Sequence, residues 1–138
     1  MKPIFVDTSA LIALGNKRDA FHLPAIRIRE ELKQTNRHLV TTSAVLLEFG
    51  NAFSSVTLKP IAIKFIEAIR QSNKWNYIDI DDVILKKGFE LYKKVADKEW
   101  GLVDCTSIIL AKDMGIYEIF TTDHHFEQAG FTILLKQK

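Results

Sequence analysis

Four carboxylates in the sequence follow predicted strands or lie in predicted helices, at places where acidic side chains can reach a shared site. Asp7 directly follows the apolar run IFV, and Asp123 follows the run IFTT. Asp104 lies at the start of a helical segment, and Glu48 lies within the otherwise apolar segment LLEFGNAF. A charge among apolar side chains is costly unless something compensates it, so Glu48 in particular requires an explanation.

Each of the four also has a simpler structural interpretation. Asp7 or Thr8 could cap the helix that follows, and Asp123 could cap the short segment after it. Asp104 could complement a helix dipole, and Glu48 could pair with a neighbouring Lys or Arg. These explanations are independent of one another, whereas one shared site accounts for all four residues together. We therefore favour the shared site.

Such a cluster predicts metal-dependent chemistry. Four carboxylates in one pocket repel each other, which raises their pKa values, and a divalent cation removes that repulsion. Mg²⁺ prefers oxygen ligands, keeps several waters and is often completed by substrate phosphates. One or two such ions can activate a water and stabilise charge on the leaving oxygen of a phosphodiester. The sequence has no His and Cys cluster of the kind that forms a structural zinc site.

Alternating strand and helix signals would bring these residues to one edge of a sheet. Strands are predicted at Pro3–Val6, His38–Thr42, Trp75–Ile80, Tyr117–Thr121 and Phe131–Leu135. Helices are predicted at Ala10–Gly15, at Leu23–Gln34, at Ala44–Phe53 with Ser43 as N-cap, from Pro60, after Asp81 or Asp82, at Leu102–Met114, and as one turn after Asp123. The alternation is typical of an α/β fold in three layers, with a mainly parallel sheet of about five strands between helices. Chemistry in such folds collects beyond the carboxyl ends of the strands.

The composition is that of a globular domain. With 138 residues, 47% of them hydrophobic and 26% charged, we expect a single domain over residues 1–138. These proportions exclude a disordered tail and a disulfide-stapled miniprotein. The single cysteine, Cys105, cannot form an intramolecular disulfide, and no apolar run is long enough to span a membrane. We therefore expect a cytoplasmic protein.

Four sequence blocks resemble a known family. They are FVDTSALIAL (5–14), TTSAVLLEF (41–49), DKEWGLVDCTSI (97–108) and IFTTDHHFEQAGF (119–131). In this order they resemble PIN domains, and most of all the VapC-like toxin ribonucleases of toxin–antitoxin modules. A lone Asp-Thr-Ser would mean little, but the four blocks together are specific. The resemblance implies a three-layer PIN-like fold with an acidic pocket, and endonucleolytic cleavage of RNA that depends on Mg²⁺ or Mn²⁺.

The resemblance also implies roles for individual residues. Asp7, Glu48, Asp104 and Asp123 match the four acidic positions of the family. We expect Asp7 and Asp104 to be the main metal ligands, with Asp123 supporting them directly or through water. Glu48 would orient the attacking water or help to hold a second ion. The hydroxyl residues expected to support the metal shell are Thr8, Ser107 and Thr122.

Several other reactive side chains have structural interpretations. His124 and His125 are adjacent and are expected to point apart, which argues against a shared metal ion. Cys105 has no local base and is interpreted as a packed thiol. Trp75 and Trp100 are interpreted as packing residues rather than platforms for nucleic-acid bases.

Two other functions are alternatives. A catalytically silent PIN-like module would bind RNA or protein without turnover, although the intact acids argue against it. A phosphoacceptor receiver domain has about this size but needs an acidic pair at the end of its first strand, where Asp7 is followed by Thr8.

The family resemblance implies three partners. Toxin-type members cleave RNA, usually form homodimers, and are inhibited by a small antitoxin protein. The apolar stripe from Ile61 to Ile69 is a candidate surface for the dimer or the antitoxin, with core packing as the alternative.

The formal charge of +2 conceals an uneven distribution. If the four acids form one pocket, they contribute −4, and the remaining 13 acids face 19 bases. The rest of the surface then carries +6, which suits a polyanionic substrate.

Overall fold

Strands and helices alternate along the computed structural model, which describes residues 2–136. The strands are β1 (Ile4–Val6), β2 (Leu39–Thr42), β3 (Trp75–Ile78), β4 (Glu118–Phe120) and β5 (Thr132–Ile133). The helices are α1 (Thr8–Gly15), α2 (His22–Gln34), α3 (Ser43–Ala52), α4 (Lys59–Gln71), α5 (Asp82–Lys94), α6 (Leu102–Asp113) and α7 (His125–Gln128). None of the helices within residues 2–136 combines the length and apolar character needed to cross a bilayer.

The five strands form one parallel sheet in the order β3-β2-β1-β4-β5. Helices lie on both faces, which confirms the predicted three-layer α/β/α architecture. β1 is central: Phe5 lies opposite Val40 of β2, and Val6 lies opposite Phe120 of β4. In a parallel sheet all strands end at the same edge. We call that edge the carboxyl edge and the opposite one the amino edge.

The core explains why β1 is a continuous apolar run rather than an alternating one. All three of its side chains are at most 1% exposed, because helices cover both faces of the central strand. Phenylalanines fill much of the space between the layers, and the fully buried ones are Phe5, Phe49, Phe53, Phe120 and Phe126. This packing fixes the positions of the strand ends that carry Asp7 and Asp123.

The start of α3 corrects one prediction. The Thr42 Oγ1 accepts a hydrogen bond from the Val45 N–H at 3.2 Å, so Thr42 is the N-cap and Ser43 is the first helical residue. The Ser43 Oγ instead accepts a hydrogen bond from the Ile80 N–H at 2.8 Å. Either of two consecutive hydroxyl residues can cap a helix. Here the second one, Ser43, is instead bonded to the loop after β3.

Other element ends follow the sequence signals. Asp81 caps α5 by accepting a hydrogen bond from the Ile84 N–H at 2.9 Å, and Pro60 lies in the first turn of α4. After α6, Gly115 adopts a φ of +67°, a left-handed conformation that glycine reaches without steric cost.

Two apolar helix stripes have different environments. The Ile61–Ile69 stripe of α4 largely packs against the core, which favours core packing over a docking surface. In α5 only Gly88 is buried, and Leu85, Phe89 and Tyr92 are between 42% and 46% exposed. These three side chains are therefore largely uncovered, whereas Ile84 and Leu91 of the same helix pack against the core.

Candidate functional site

Asp7 lies at the carboxyl edge, between the end of β1 and the first turn of α1. Its backbone N–H donates to the Phe120 carbonyl at 3.1 Å, which joins this residue to β4. The side chain is only 4% exposed. Its Oδ2 accepts a hydrogen bond from the Thr121 hydroxyl at 2.9 Å. Although Asp7 occupies the N-cap position of α1, its carboxylate makes no cap hydrogen bond, so capping does not explain it.

The environment of Asp7 favours the neutral acid. Burial raises the pKa of Asp7 to about 7, against the lowering effects of the Thr121 hydroxyl and the Thr8 backbone N–H. The charges of Asp104 and Glu48 add to the increase. A cation near this carboxyl group would reverse that preference, because it stabilises the charged form.

Glu48 projects from α3 on an exposed part of the helix surface. The Thr8 Oγ1 donates a hydrogen bond to the Glu48 Oε1 at 2.6 Å, which links α3 to the first residue of α1. Partial burial raises the pKa of Glu48, the Thr8 hydrogen bond lowers it, and the charges of Asp104 and Asp123 raise it. Glu48 therefore faces the other acids at the rim of the cluster.

Asp104 lies in the first turn of α6. Its Oδ2 accepts a hydrogen bond from the Gly101 N–H at 3.1 Å, so the predicted interaction with the helix start is present. The same oxygen lies 3.2 Å from the His125 Nδ1. Burial and the charge of Asp123 raise the pKa of Asp104, while Gly101 and His125 lower it. Asp104 therefore caps the start of α6 and also belongs to the acidic cluster.

Asp123, the fourth acid of the cluster, lies in contact with His125. The Asp123 Oδ1 accepts a hydrogen bond from the His125 backbone N–H at 2.9 Å and lies 3.2 Å from the His125 Nδ1. His125 therefore contacts both Asp104 and Asp123, a role that the sequence analysis missed.

The two histidines do not point apart as predicted. The ring centroids of His124 and His125 are 4.9 Å apart, and one ligand atom from each ring and from Asp123 lie within 4.8 Å of one another. The short helix α7 begins at His125, and this turn keeps the two rings on the same side. The signal in the sequence was the pair HH directly after the acid of the TTD block.

A chain of hydroxyl groups holds Asp7 in place. The Thr121 Oγ1 also accepts a hydrogen bond from the Asp123 N–H at 3.0 Å and lies 2.8 Å from the Ser9 Oγ. The Ser9 Oγ in turn accepts from the Thr122 N–H at 3.0 Å. Because the Thr121 proton goes to Asp7, the Ser9 hydroxyl donates to Thr121. Thr121 and Ser9 were not among the predicted supporting residues, although both lie in the DTS and TTD blocks.

The three predicted supporting hydroxyls have different surroundings. Thr8 contacts Glu48, as described above. The Ser107 Oγ is completely buried and has no hydrogen-bond partner among the described residues; it lies one turn after Asp104. Thr122 contributes its backbone N–H to Ser9. The supporting roles of all three remain predictions.

The geometry brings the four predicted acids together, and the donor set fits a hard divalent cation. The charges of Asp104 and Glu48 raise the pKa of Asp7, and the charge of Asp123 raises the pKa values of Glu48 and Asp104. Carboxylate oxygens are the ligands that Mg²⁺ and Mn²⁺ prefer. Such a site can polarise a phosphate and activate a water.

Cys105, next to Asp104, has the structural role predicted for it. Burial and the charge of Asp104 raise the pKa of its thiol, so the nucleophilic thiolate is disfavoured. Trp100 is also buried, and its Nε1–H donates to the Gln128 Oε1 at 2.7 Å. Neither residue is available for chemistry at the cluster.

Comparison with protein families gives one match. The family model described as PIN domain matches residues 4–132, which spans β1 to β5 and includes all four acids.

Comparison with individual proteins agrees with that match. The chain is 26% identical to the 23S rRNA-specific endonuclease VapC20 of Mycobacterium tuberculosis, over 93% of this chain and 95% of that protein. The crystal structure of VapC20, described as a sarcin-ricin loop cleaving toxin, superimposes with a TM-score of 0.82 at 28% identity, covering 94% of this chain and 96% of that one.

More distant structures share the fold. VapBC2 from Rickettsia felis, bound to a DNA fragment from their promoter, gives a TM-score of 0.68 at 16% identity. FitAcB from Neisseria gonorrhoeae gives 0.66 at 14% identity. Each covers 94% of this chain, and the matched share of the other chain is 95% for FitAcB and 96% for VapBC2.

Proposed function

The chain belongs to the PIN domain family, and on that premise we propose that it is a metal-dependent endoribonuclease and the toxin of a toxin–antitoxin pair. The observation that carries the proposal is the buried Asp7 carboxyl group, whose pKa is raised to about 7 by burial and by neighbouring acids. A fold that only needed a helix cap would not bury this carboxyl group among other carboxylates. The similarity to an rRNA endonuclease over nearly the whole chain supports the reaction class.

The acids would hold Mg²⁺ or Mn²⁺, with Asp7 and Asp104 as the main ligands and Asp123 as a further one. When bound, the ion would supply a Lewis acid for the scissile phosphate and lower the pKa of a coordinated water. Thr121 keeps the Asp7 carboxylate oriented through the 2.9 Å hydrogen bond. His125 orients Asp104 and Asp123 through its Nδ1.

Glu48 is the candidate general base. Thr8 occupies the Glu48 Oε1, which leaves Oε2 to accept a proton from the attacking water. Burial and the charges of Asp104 and Asp123 raise the pKa of Glu48, and a raised pKa makes a carboxylate a better base near neutral pH. The water oxygen then bonds to phosphorus, the bond to the leaving oxygen breaks, and that oxygen takes a proton from solvent water.

The proposed function is tested by RNA cleavage with and without metal. The substrate is an end-labelled hairpin with the sarcin–ricin loop sequence of 23S rRNA, because VapC20 is described as cleaving that loop. A second hairpin has the same stem and a scrambled loop. We expect cleavage with Mg²⁺ or Mn²⁺, none with EDTA, and loss of cleavage in Asp7→Asn. Mapping the RNA ends then identifies the bond that is cut.

The matched control is Asp97→Asn, which neutralises an exposed acid that pairs with Lys98 at 3.8 Å and with no other residue within 2–136. It should cleave at the wild-type rate. Full cleavage by Asp7→Asn, or cleavage by wild type in EDTA, contradicts the proposal. If wild type binds the hairpin but leaves it intact with every metal tested, the catalytically silent module is the correct alternative.

We also propose that the chain has an antitoxin partner and forms a homodimer. The similarity to VapBC2 of R. felis supports an antitoxin, and a small open reading frame next to the gene would identify one to co-purify. The uncovered apolar side chains of α5 are the candidate dimer contact. Light scattering after gel filtration should give a dimer for wild type and a monomer for Phe89→Glu; an unchanged mass for the variant would contradict this surface.

A further inference from the structure

A cavity of about 220 Å³ lies on one side of the sheet and reaches from the starts of β2 and β3 to the last residues of β1 and β4. It is formed between α2, the end of α1, and the first residues of β2 and β3. None of the four acids, and no other acidic side chain, lines it. It is therefore separate from the candidate active site.

The inner surface of this cavity is apolar. Val6 and Phe120 contribute from the central strands, Leu14 and Leu32 from the helices, and Leu39 and Trp75 from the starts of β2 and β3. An apolar cavity of roughly 150 Å³ accepts benzene. The larger space here accommodates a fused pair of aromatic rings or a short acyl chain.

The remaining lining residues are basic apart from Ser72: Arg29, Lys33, Arg37 and Lys74. Glu30, outside the lining, is shared between Arg29 and Lys33 at 3.5 Å and 3.7 Å. Arg37 already pairs with Glu118 at 3.0 Å. Within residues 2–136, Lys74 has no recorded ion pair.

Arg29 gives a second, independent indication of a ligand. Its Nε is buried and makes no hydrogen bond within the described part of the chain, because the carboxylate of Glu30 lies at ion-pair distance without hydrogen-bond geometry. Buried donors in folded proteins nearly always have a partner. An anion in the cavity would provide acceptor oxygens close to this side chain.

We propose that this cavity binds a small amphipathic anion, with an aromatic or acyl body against Trp75 and Leu39 and a carboxylate or phosphate between Arg29 and Lys74. Charge favours an anion, since the lining holds four cations, and the two acids that pair with three of them, Glu30 and Glu118, lie outside it. Lys74 is the lining cation without an ion pair among the described residues. The apolar interior argues against a nucleobase, because Ser72 and the Trp75 indole N–H are the uncharged polar side-chain groups in the lining and leave most of its polar edge unpaired.

The test is calorimetric titration with two probes of the same shape, 1-naphthoate and the neutral 1-naphthamide. We expect the naphthoate to bind with a dissociation constant below 1 mM and the naphthamide to bind about tenfold more weakly, as expected when one charged interaction is lost. Lys74→Gln should weaken naphthoate binding about tenfold and leave naphthamide binding unchanged. The matched control, Lys64→Gln, changes another exposed lysine outside the lining and should bind like wild type.

The two tryptophans locate the bound probe. Their indole N–H signals in a ¹H–¹⁵N NMR spectrum are assigned with Trp75→Phe. Naphthoate should shift the Trp75 signal and leave that of Trp100, which donates to Gln128, in place. Equal binding of the two probes, equal effects of the two lysine variants, or a shift at Trp100 alone would each overturn the proposal. None of these measurements depends on nuclease activity, so the two proposals succeed or fail separately.

Discussion

The carboxyl and amino edges of the sheet are built in opposite ways: the first gathers several acids, and the second pairs an arginine with an acid. At the carboxyl edge, acids crowd together without a salt bridge to Lys or Arg among the described residues, and burial raises the pKa of Asp7 to about 7. At the amino edge, the Arg37 guanidinium donates twice to the Lys2 carbonyl, at 2.6 and 3.0 Å, and once to the Glu118 carboxylate at 3.0 Å. The two sets of contacts lie at opposite ends of the central strand β1.

This difference separates stability from function. The bonds of Arg37 join the segment before β1 to the start of β4, so they stabilise the order of the central strands. The acids at the other end of β1 repel each other and weaken the fold unless a cation is present, as is typical of active sites. Substitutions at the two edges should therefore change different observables.

The largest expected effect is on catalysis, from Asp104→Asn at the carboxyl edge. The rate of metal-dependent RNA cleavage should fall on the order of 10³-fold, since a metal ligand contributes several kcal/mol to the transition state. The free energy of unfolding should not fall, because the amide oxygen still accepts from the Gly101 N–H and the repulsion with Asp123 is gone.

The control for this prediction is Asp113→Asn on the same helix. Asp113 is exposed and pairs with Lys87 at 3.6 Å, a contact that contributes little. It should retain wild-type cleavage. Equal rates for the two variants would remove Asp104 from the proposed metal site.

The second prediction concerns pH and metal. Because the folded-state pKa of Asp7 is raised from 3.8 to about 7, the folded protein holds a proton that the unfolded chain releases between these values. Asp7 therefore contributes fully to the free energy of unfolding below about pH 4. This contribution is lost as the pH rises through 7, and it amounts to at most about 4 kcal/mol. The raised pKa values of Glu48 and Asp104 act in the same direction.

Urea unfolding in EDTA at pH 5 and pH 8 measures this effect. Between pH 5 and pH 8, the free energy of unfolding should fall by about 3 kcal/mol more in wild type than in Asp7→Asn. Added Mn²⁺ should reduce the loss, because a cation stabilises the charged carboxylates. Parallel pH profiles for wild type and Asp7→Asn would mean that Asp7 is ionised in the folded protein.

Much of this comparison was predictable from local sequence signals. The positions of β1 and β4 follow from buried apolar runs, and the acids after IFV and IFTT fall at the carboxyl edge because all five strands are parallel. The N-cap at Thr42 and the ends of the short strand β5 differ from the prediction by one or two residues. Two neighbouring hydroxyls or a fraying strand end leave the local sequence signal ambiguous there.

The contacts that depend on distant residues were not predictable. The Thr121 hydroxyl reaches Asp7 across 114 positions, and Arg37 reaches Glu118 across 81. Nothing in a local pattern distinguishes Thr121 from Thr122, or reveals that His125 lies between two carboxylates from different elements. The sheet order determines these pairs, and it is a property of the whole chain.

At the amino edge, Arg37→Ala should lower the free energy of unfolding by about 2 kcal/mol. The side chain is only 13% exposed, and its loss leaves the Lys2 carbonyl and the Glu118 carboxylate without these partners. Cleavage per folded molecule should be unchanged, since Arg37 lies at the edge opposite the acids. Urea unfolding at pH 7 with saturating Mn²⁺ measures the first effect, and a change in the cleavage rate would mean that the two edges are coupled.

The smallest predicted effect comes from Thr121→Val, which has nearly the same shape but cannot donate to Asp7. Cleavage should fall about tenfold, the equivalent of one hydrogen bond to a charged group. The pKa of Asp7 should rise further, because the Thr121 hydroxyl lowers it, so the fall should be steeper at pH 6 than at pH 8.

The matched comparison is Thr122→Val, which retains the backbone N–H that donates to Ser9 and removes a hydroxyl that does not contact Asp7. A merely structural role for Thr121 would lower the rate equally at both pH values and would change the unfolding free energy in proportion. A pH-dependent loss confined to Thr121→Val would instead show that this hydroxyl keeps the buried acid charged.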